Sequence, residues 1–416
     1  MTTVANAPTA STPSRTRRRG RIWIWLLLLL VAMSATRVIA DAHDITSAGT
    51  LRAATIAAIP IALAALGGLW SERAGVVNIG LEGMMILGTL GAGYFGYHYG
   101  VWAGLVGAAI FGAVGGALHA LATVTFGVDH IVSGVAINII AAGVASFLAE
   151  ALFAGLPGGG PTQSPSLPRP PTVSIPGLSD WTADLADRGW FLVSDLAALV
   201  NALTARMSLF TLVALVLIFG TGWLLWKTSF GLRLRSCGEN PQAAESLGIN
   251  VIRYKFVAVT MSGLFAGMGG AYLAMVASSG YQNGQTGGRG YIGLAAMIFG
   301  NWRPGGLLTG SLLFGYTDAA RLRSGGESVH ALLLIVAVAL VLMAMWQLFR
   351  GARLAAALSM VVGVLALVWY LSTETIPGDF TAMTPYVATL LVLALASQKL
   401  RMPAADGLRY TRGQAG

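Results

Sequence analysis

An all-α fold threaded repeatedly through a membrane is what this sequence predicts, and three observations carry the prediction. Charged residues make up only 10% of the 416 residues and hydrophobic ones 55%, against about a quarter charged in a soluble domain. The apolar residues gather into long runs. Segments 22–36, 53–71, 131–149, 207–226, 256–288, 328–349, 354–373 and 380–398 contain no Asp, Glu, Lys or Arg, and most approach the ~20 residues an α-helix needs to cross hydrocarbon. Basic residues cluster where these runs end: Arg15, Arg17, Arg18, Arg19 and Arg21 before the first, Lys227, Arg233, Arg235, Arg253 and Lys255 in one short loop, and Arg401, Arg409 and Arg412 near the C-terminus. That bias puts these three regions on the cytoplasmic side. The net charge of +9 therefore reflects topology and not a nucleic-acid partner, since the basic residues form no face. A transmembrane barrel is excluded, because its strands would be ~10 residues of alternating character. The lone cysteine, Cys237, excludes an intramolecular disulfide framework.

With the N-terminus inside, the elements follow in order. A cytoplasmic basic tail, 1–21, precedes five helices within 22–153, at about 22–40, 51–70, 76–97, 101–126 and 130–153. The first is read as a retained helix and not a cleaved signal peptide, because more helices follow and no small-residue cleavage site bounds it cleanly. The extracytoplasmic segment 154–206 holds seven of the chain's fifteen prolines within 157–176, so it should begin extended or irregular. It then turns acidic, with a short surface helix expected at about 193–203. A sixth helix, 207–226, returns to the basic loop 227–255, where the parity of the layout and the charge agree.

The membrane core continues over 256–325. A helix at about 256–275 is followed by a Gly-, Gln- and Asn-rich stretch and then by two apolar pieces, 291–299 and 305–320, too short to span alone. Non-helical backbone at membrane depth persists only where protein or a water-filled cavity covers it, so broken helices point to a transport pathway. An extra hairpin, 326–372, and a last span, 373–398, lead to a cytoplasmic tail, 399–416. The total is about ten to twelve helices.

Glycines four apart (Gly100/Gly104, Gly112/Gly116, Gly263/Gly267 and Gly306/Gly310) predict close helix packing. A faint repeat links Ile79-Gly80-Leu81-Glu82-Gly83-Met84 with Ile292-Gly293-Leu294-Ala295-Ala296-Met297, each downstream of a Gly-Gly pair. The preceding helices run in opposite directions in this layout, which would make the match an inverted repeat, with chance similarity over so short a stretch as the alternative.

No phosphate-binding loop, metal-ligand cluster or nucleophile motif occurs, so no catalytic residue and no metal site is assigned. Polar residues inside apolar helices remain as candidates for the translocation path. Asn78 and Glu82 share one helix face, and an ionisable group at that depth needs a partner or a cavity. Substrate contact and a buried hydrogen bond that fixes packing are both open for this pair, as for Asn138 and Asp318. Asn283 and Arg289 lie in the unwound stretch and could line a path or an exposed loop. In the basic loop, Asn240 as cap, Pro241 as first residue and Gly248 as terminator predict a short helix over 242–247. Such a helix between two spans has no packing reason of its own and suits a knob that docks into a partner.

That loop, 230–250, resembles the coupling loop of ABC-importer permeases of the branched-chain amino acid, ribose and nucleoside superfamily. Ser71-Glu-Arg-Ala-Gly-Val-Val-Asn-Ile-Gly-Leu-Glu-Gly-Met84, Gly288-Arg-Gly-Tyr-Ile-Gly-Leu-Ala-Ala-Met-Ile-Phe-Gly-Asn-Trp-Arg-Pro304 and Thr384-Pro-Tyr-Val-Ala-Thr-Leu-Leu-Val-Leu are similar to its nucleoside and simple-sugar branch. The resemblance spans roughly 51–325 and 384–412, and the 326–372 hairpin departs from it. It implies a permease subunit in a bacterial plasma membrane that imports nucleosides or simple sugars and is not itself an enzyme. It also implies a cytoplasmic ABC ATPase that carries the ATP and Mg, a second homologous permease and an extracytoplasmic substrate-binding lipoprotein. ATPase coupling would fall to Gly238, Glu239, Asn240, Pro241, Ala243, Ala244, Glu245 and Gly248, with no cofactor bound by this chain. An ion-coupled secondary transporter, which also uses broken helices, is the alternative.

Overall fold

The computed structural model describes residues 16–381, 383, 384, 387 and 400–413. Helix α1 (Thr16–Ile39) leads through a 3-10 turn, His43–Thr46, to α2 (Ala48–Arg73), α3 (Leu81–Tyr99), α4 (Val101–Ala120) and α5 (His130–Phe153). Strand β1 (Thr172–Val173), α6 (Leu178–Asp187), α7 (Val193–Thr204) and β2 (Met207–Ser208) follow, with β1 and β2 paired antiparallel, Thr172 opposite Ser208. Next come α8 (Leu209–Lys227), α9 (Ser229–Glu239), α10 (Pro241–Ser246), α11 (Val251–Tyr272), α12 (Arg289–Phe299), α13 (Pro304–Phe349), α14 (Arg353–Ser372) and α15 (Gly378–Thr381). Among the described residues, seven helical segments are long and apolar enough to cross a membrane. With α3 and the shorter apolar segments Leu30–Ile39 and Arg289–Phe299, they form the polytopic helical bundle that the composition predicts. The expected last span and the Thr384 motif fall mostly outside the described residues.

The centre of the bundle is built on α2 and α11, whose apolar windows are 78% and 72% buried. The two lie against each other, and each packs on the pair that follows the other: α2 on α12 and α13, α11 on α3 and α4. Small residues permit this packing. Gly112 and Gly116 of α4 face Gly263 and Gly267 of α11, and a Cβ on Gly263 would collide with the Gly112 carbonyl oxygen. Gly112/Gly116 and Gly263/Gly267 thus form a helix–helix seam, whereas Gly100 of the first predicted pair stands in open space at φ +87° between α3 and α4.

Several boundaries differ from the sequence expectation for local reasons. Helix α3 starts at Leu81, because 74–80 remain non-helical, with Gly75 at φ +82° and the Asn78 Oδ1 accepting from the Gly80 amide at 3.0 Å. Helix α11 starts already at Val251, where the Asn250 side chain caps the Arg253 amide at 3.1 Å. Helices α6 and α9 were not expected. Thr228 caps α9 by accepting from the Gly231 amide. The piece at 305–320 and the first arm of the hairpin form one long helix, α13, interrupted at Gly325 with φ +53°, a conformation that costs glycine little and other residues much. Both arms of the hairpin are mostly exposed apolar surface, with 17% and 11% of their windows buried.

Candidate functional site

The short helix α10 is assembled by its own sequence. Asn240 leaves α9 in an extended conformation and its Oδ1 accepts from the Ala243 amide at 2.9 Å, Pro241 takes the first helical position, and Gly248 ends the turn at φ +82°. One side of α10 is fastened: Ala244 is buried against Cys237 and Val251, with Tyr410 packed on the same cluster. Burial pushes the Cys237 thiol up to about 11, so it packs as an inert apolar group. The other side carries Ala243, Ser246 and Leu247 in the open, and Leu247 is 82% exposed. Leu247 is an isolated apolar side chain at the tip of a capped helix.

Helix α10 is tied to the membrane core through α9. Gly238 is pressed so closely on the Arg73 carbonyl that no Cβ would fit. Glu239 pairs with the Arg73 guanidinium at 3.7 Å. The same guanidinium donates to the Trp302 carbonyl at 3.1 and 2.8 Å and lies over the Trp226 ring. Trp302, at φ +52°, sits in the α12–α13 turn and donates its indole N–H to Glu72 at 2.5 Å. The end of α2 therefore joins α9 on one side to the α12–α13 turn on the other.

Residues 400–413 complete this face. The Ala405 amide donates to the Gly238 carbonyl at 2.9 Å, the Arg401 amide to Asn301 Oδ1 at 2.7 Å, and Arg412 meets Glu245 at 3.5 Å. Burial, and then the neighbouring Glu72 carboxyl, hold the Asp406 carboxyl well above the usual carboxylate range. The sequence reading missed Glu72, Arg73, Trp302 and Asp406 as parts of this assembly. Three of them stand inside the quoted motifs, where their charge or ring beside a tight turn was the available signal.

The intramembrane candidates divide into two groups. Asn78, Glu82 and Asn138 come together around the two helix breaks. Glu82 accepts from the Gly288 amide at 2.8 Å and the Gly290 amide at 2.6 Å, capping α12. Asn138 accepts from the Gly83 amide at 2.7 Å and donates to the Ile79 carbonyl and the Tyr291 hydroxyl. Asn78 donates to Ser262 at 2.8 Å. Arg289 instead turns to Asp318 on α13 at 3.1 Å, and the exposed Asn283 donates to Ser146 on α5. Among the described residues, no group of three or more His, Cys, Asp or Glu is placed to hold a metal ion.

A polytopic helical bundle is joined at one end to a short capped helix with an exposed apolar tip. The family described as branched-chain amino acid transport system, permease component, matches residues 50–345. The chain belongs to this family. It is 32% identical over 370 residues to the guanosine ABC transporter permease protein NupQ of Bacillus subtilis, covering 87% of this chain and 96% of that one. It is 33% identical to the nucleoside ABC transporter permease protein NupC of Lactococcus lactis, covering 85% and 94%, and 31% identical to a putative glucose ABC transporter permease protein of Haloferax volcanii, covering 88% and 98%. No solved structure matches the chain. This family member is a multi-pass membrane permease subunit of the ABC-importer type.

Proposed function

We propose that this permease imports nucleosides or related simple sugars across a plasma membrane, with both termini cytoplasmic. The solute would be handed over by an extracytoplasmic binding lipoprotein, and a second homologous permease would complete the pore. A separate ABC ATPase, holding the ATP and Mg, would dock on α10 around Ala243 and Leu247. The observation that carries this reading is the unbroken contact path from the exposed α10 through Gly238 and Glu239 to Arg73 and the Trp302 turn. Force applied at α10 reaches the end of α2, and α2 packs on α12, whose N-terminus Glu82 holds. In this reading Asn78, Glu82 and Asn138 frame the path by fixing its backbone turns, and Arg289 and Asn283 stand nearer its outer side. The substrate class rests on the relatives named for guanosine, nucleosides and glucose.

Reconstitution into liposomes with the cognate ATPase and binding protein tests the proposal. Nucleoside uptake should require ATP and all three components. Uptake by this chain alone, driven by an ion gradient, would overturn it.

A further inference from the structure

A cavity of about 170 Å³ lies on the face that carries α6 and α7, away from α10, between the first turns of α2, the segment leading to β1, the β2–α8 junction and the end of α11. Three arginines line it: Arg52, Arg169 and Arg206. Among the described residues, no carboxylate pairs with any of them. The half-buried Arg52 donates one hydrogen bond, to Asn201 Oδ1 at 3.2 Å, while its buried Nε has no partner. Arg206 repels Arg52 and is nevertheless fixed beside it. Its backbone is held at φ +52° by the β1–β2 pairing and by its amide donating to Ser174 Oγ at 2.8 Å. Non-glycine residues keep such a conformation only where the surroundings impose it, and such positions gather at binding sites.

The half-buried Arg52, its Nε unpartnered, carries its charge into a partly desolvated space that the exposed Arg169 and Arg206 flank, with nothing of opposite sign on the wall, an arrangement that favours an anion arriving from outside. Guanidinium groups match a tetrahedral oxyanion through paired N–H donors. The remaining wall mixes hydroxyl side chains with an apolar side that includes Ile56, Met275 and Val276, which suits an organic group attached to the anion. We propose that this cavity binds the phosphate group of an anionic phosphate ester through Arg52, Arg169 and Arg206. The assignment does not depend on the transport reading. The ester is either a phospholipid headgroup from the surrounding leaflet or a soluble phosphate compound, and the two sources are separable.

The test is thermal denaturation of the purified full chain in detergent, titrated with inorganic phosphate and, separately, with phosphatidylglycerol in mixed micelles, using diacylglycerol as the uncharged control. The wild type should show a saturable rise in midpoint with at least one phosphate probe and none with diacylglycerol. A rise with inorganic phosphate marks a soluble source, and a rise with phosphatidylglycerol alone marks a lipid. In the double variant Arg169→Gln/Arg206→Gly, where glycine keeps the left-handed backbone, half-saturation should move at least tenfold higher. Should that variant fail to fold, Arg169→Gln alone, at an exposed position, should weaken binding severalfold. The proposal is overturned if neither probe shifts the wild type or if the variants respond equally.

Discussion

Replacing Glu82 by Gln isolates what the intramembrane carboxylate does. Both oxygens are engaged by backbone amides, Gly288 at 2.8 Å and Gly290 at 2.6 Å, at the start of α12, where peptide dipoles favour negative charge. Glutamine keeps the shape and one acceptor but turns an NH2 group toward the other amide. One hydrogen bond to a charged group, about 1.5–3 kcal/mol, is lost, and a charge–dipole term of roughly 0.3–1 kcal/mol goes with it. A destabilisation of about 2–4 kcal/mol is expected, read as a lower denaturation midpoint in detergent. Nucleoside uptake per folded molecule, measured on the same preparation, should fall less than the yield of folded protein. An unchanged midpoint would refute the capping argument. An unchanged midpoint with uptake abolished would move Glu82 from framework to substrate contact.

Other consequences are equally direct. Leu247→Asp or Ala243→Trp should leave the midpoint unchanged, because both side chains are exposed, while ATP-driven uptake with the cognate ATPase falls to background; retained uptake would exclude α10 as the docking knob. Gly238→Ala places a methyl group against the Arg73 backbone and should destabilise by about 1–3 kcal/mol, visible as a lower midpoint. Gly267→Leu should open the α4–α11 seam and sharply reduce the folded fraction recovered by size-exclusion chromatography. The carboxyl of Asp406 is raised in the folded state, so the folded chain holds that proton after the unfolded chain has released it. Its contribution to stability is present below the ordinary carboxylate pKa of about 4 and declines as pH rises from there through neutrality. Asp406→Asn should flatten that decline in a series of midpoints taken from pH 5 to 8.

The sequence made the membrane class, the existence of the spans α2 and α11 and the short helix α10 legible, because each rests on a local rule: run length, or a cap, a proline and a terminating glycine in register; that α2 and α11 form the buried centre was not legible. Glu82 and Asn138 were found as polar residues at depth, but their partners were not legible. Gly288 and Tyr291 lie far along the chain, and nothing local announces that a side chain will cap a helix made two hundred residues later. Helix α9 was missed because its polar and basic composition reads as a loop, whereas Thr228 caps its start and Leu234 and Cys237 bury one face. The fastening of Ala405 and Tyr410 under α10 escaped for the same reason, since backbone pairing to Gly238 leaves no trace in composition.

The exchange of partners between α2 and α11 has a consequence for how the chain is made. A ribosome delivers α2 early, yet the helices that mainly cover it, α11, α12 and α13, begin only at residue 251. Until those emerge, the most enclosed helix of the finished protein must wait among lipids or insertion factors with its inner end, Glu72 and Arg73 included, still lacking Trp302. Completion of the bundle is thereby deferred to the final stretch of synthesis, and chains that stall early should present themselves to membrane quality control as unfinished.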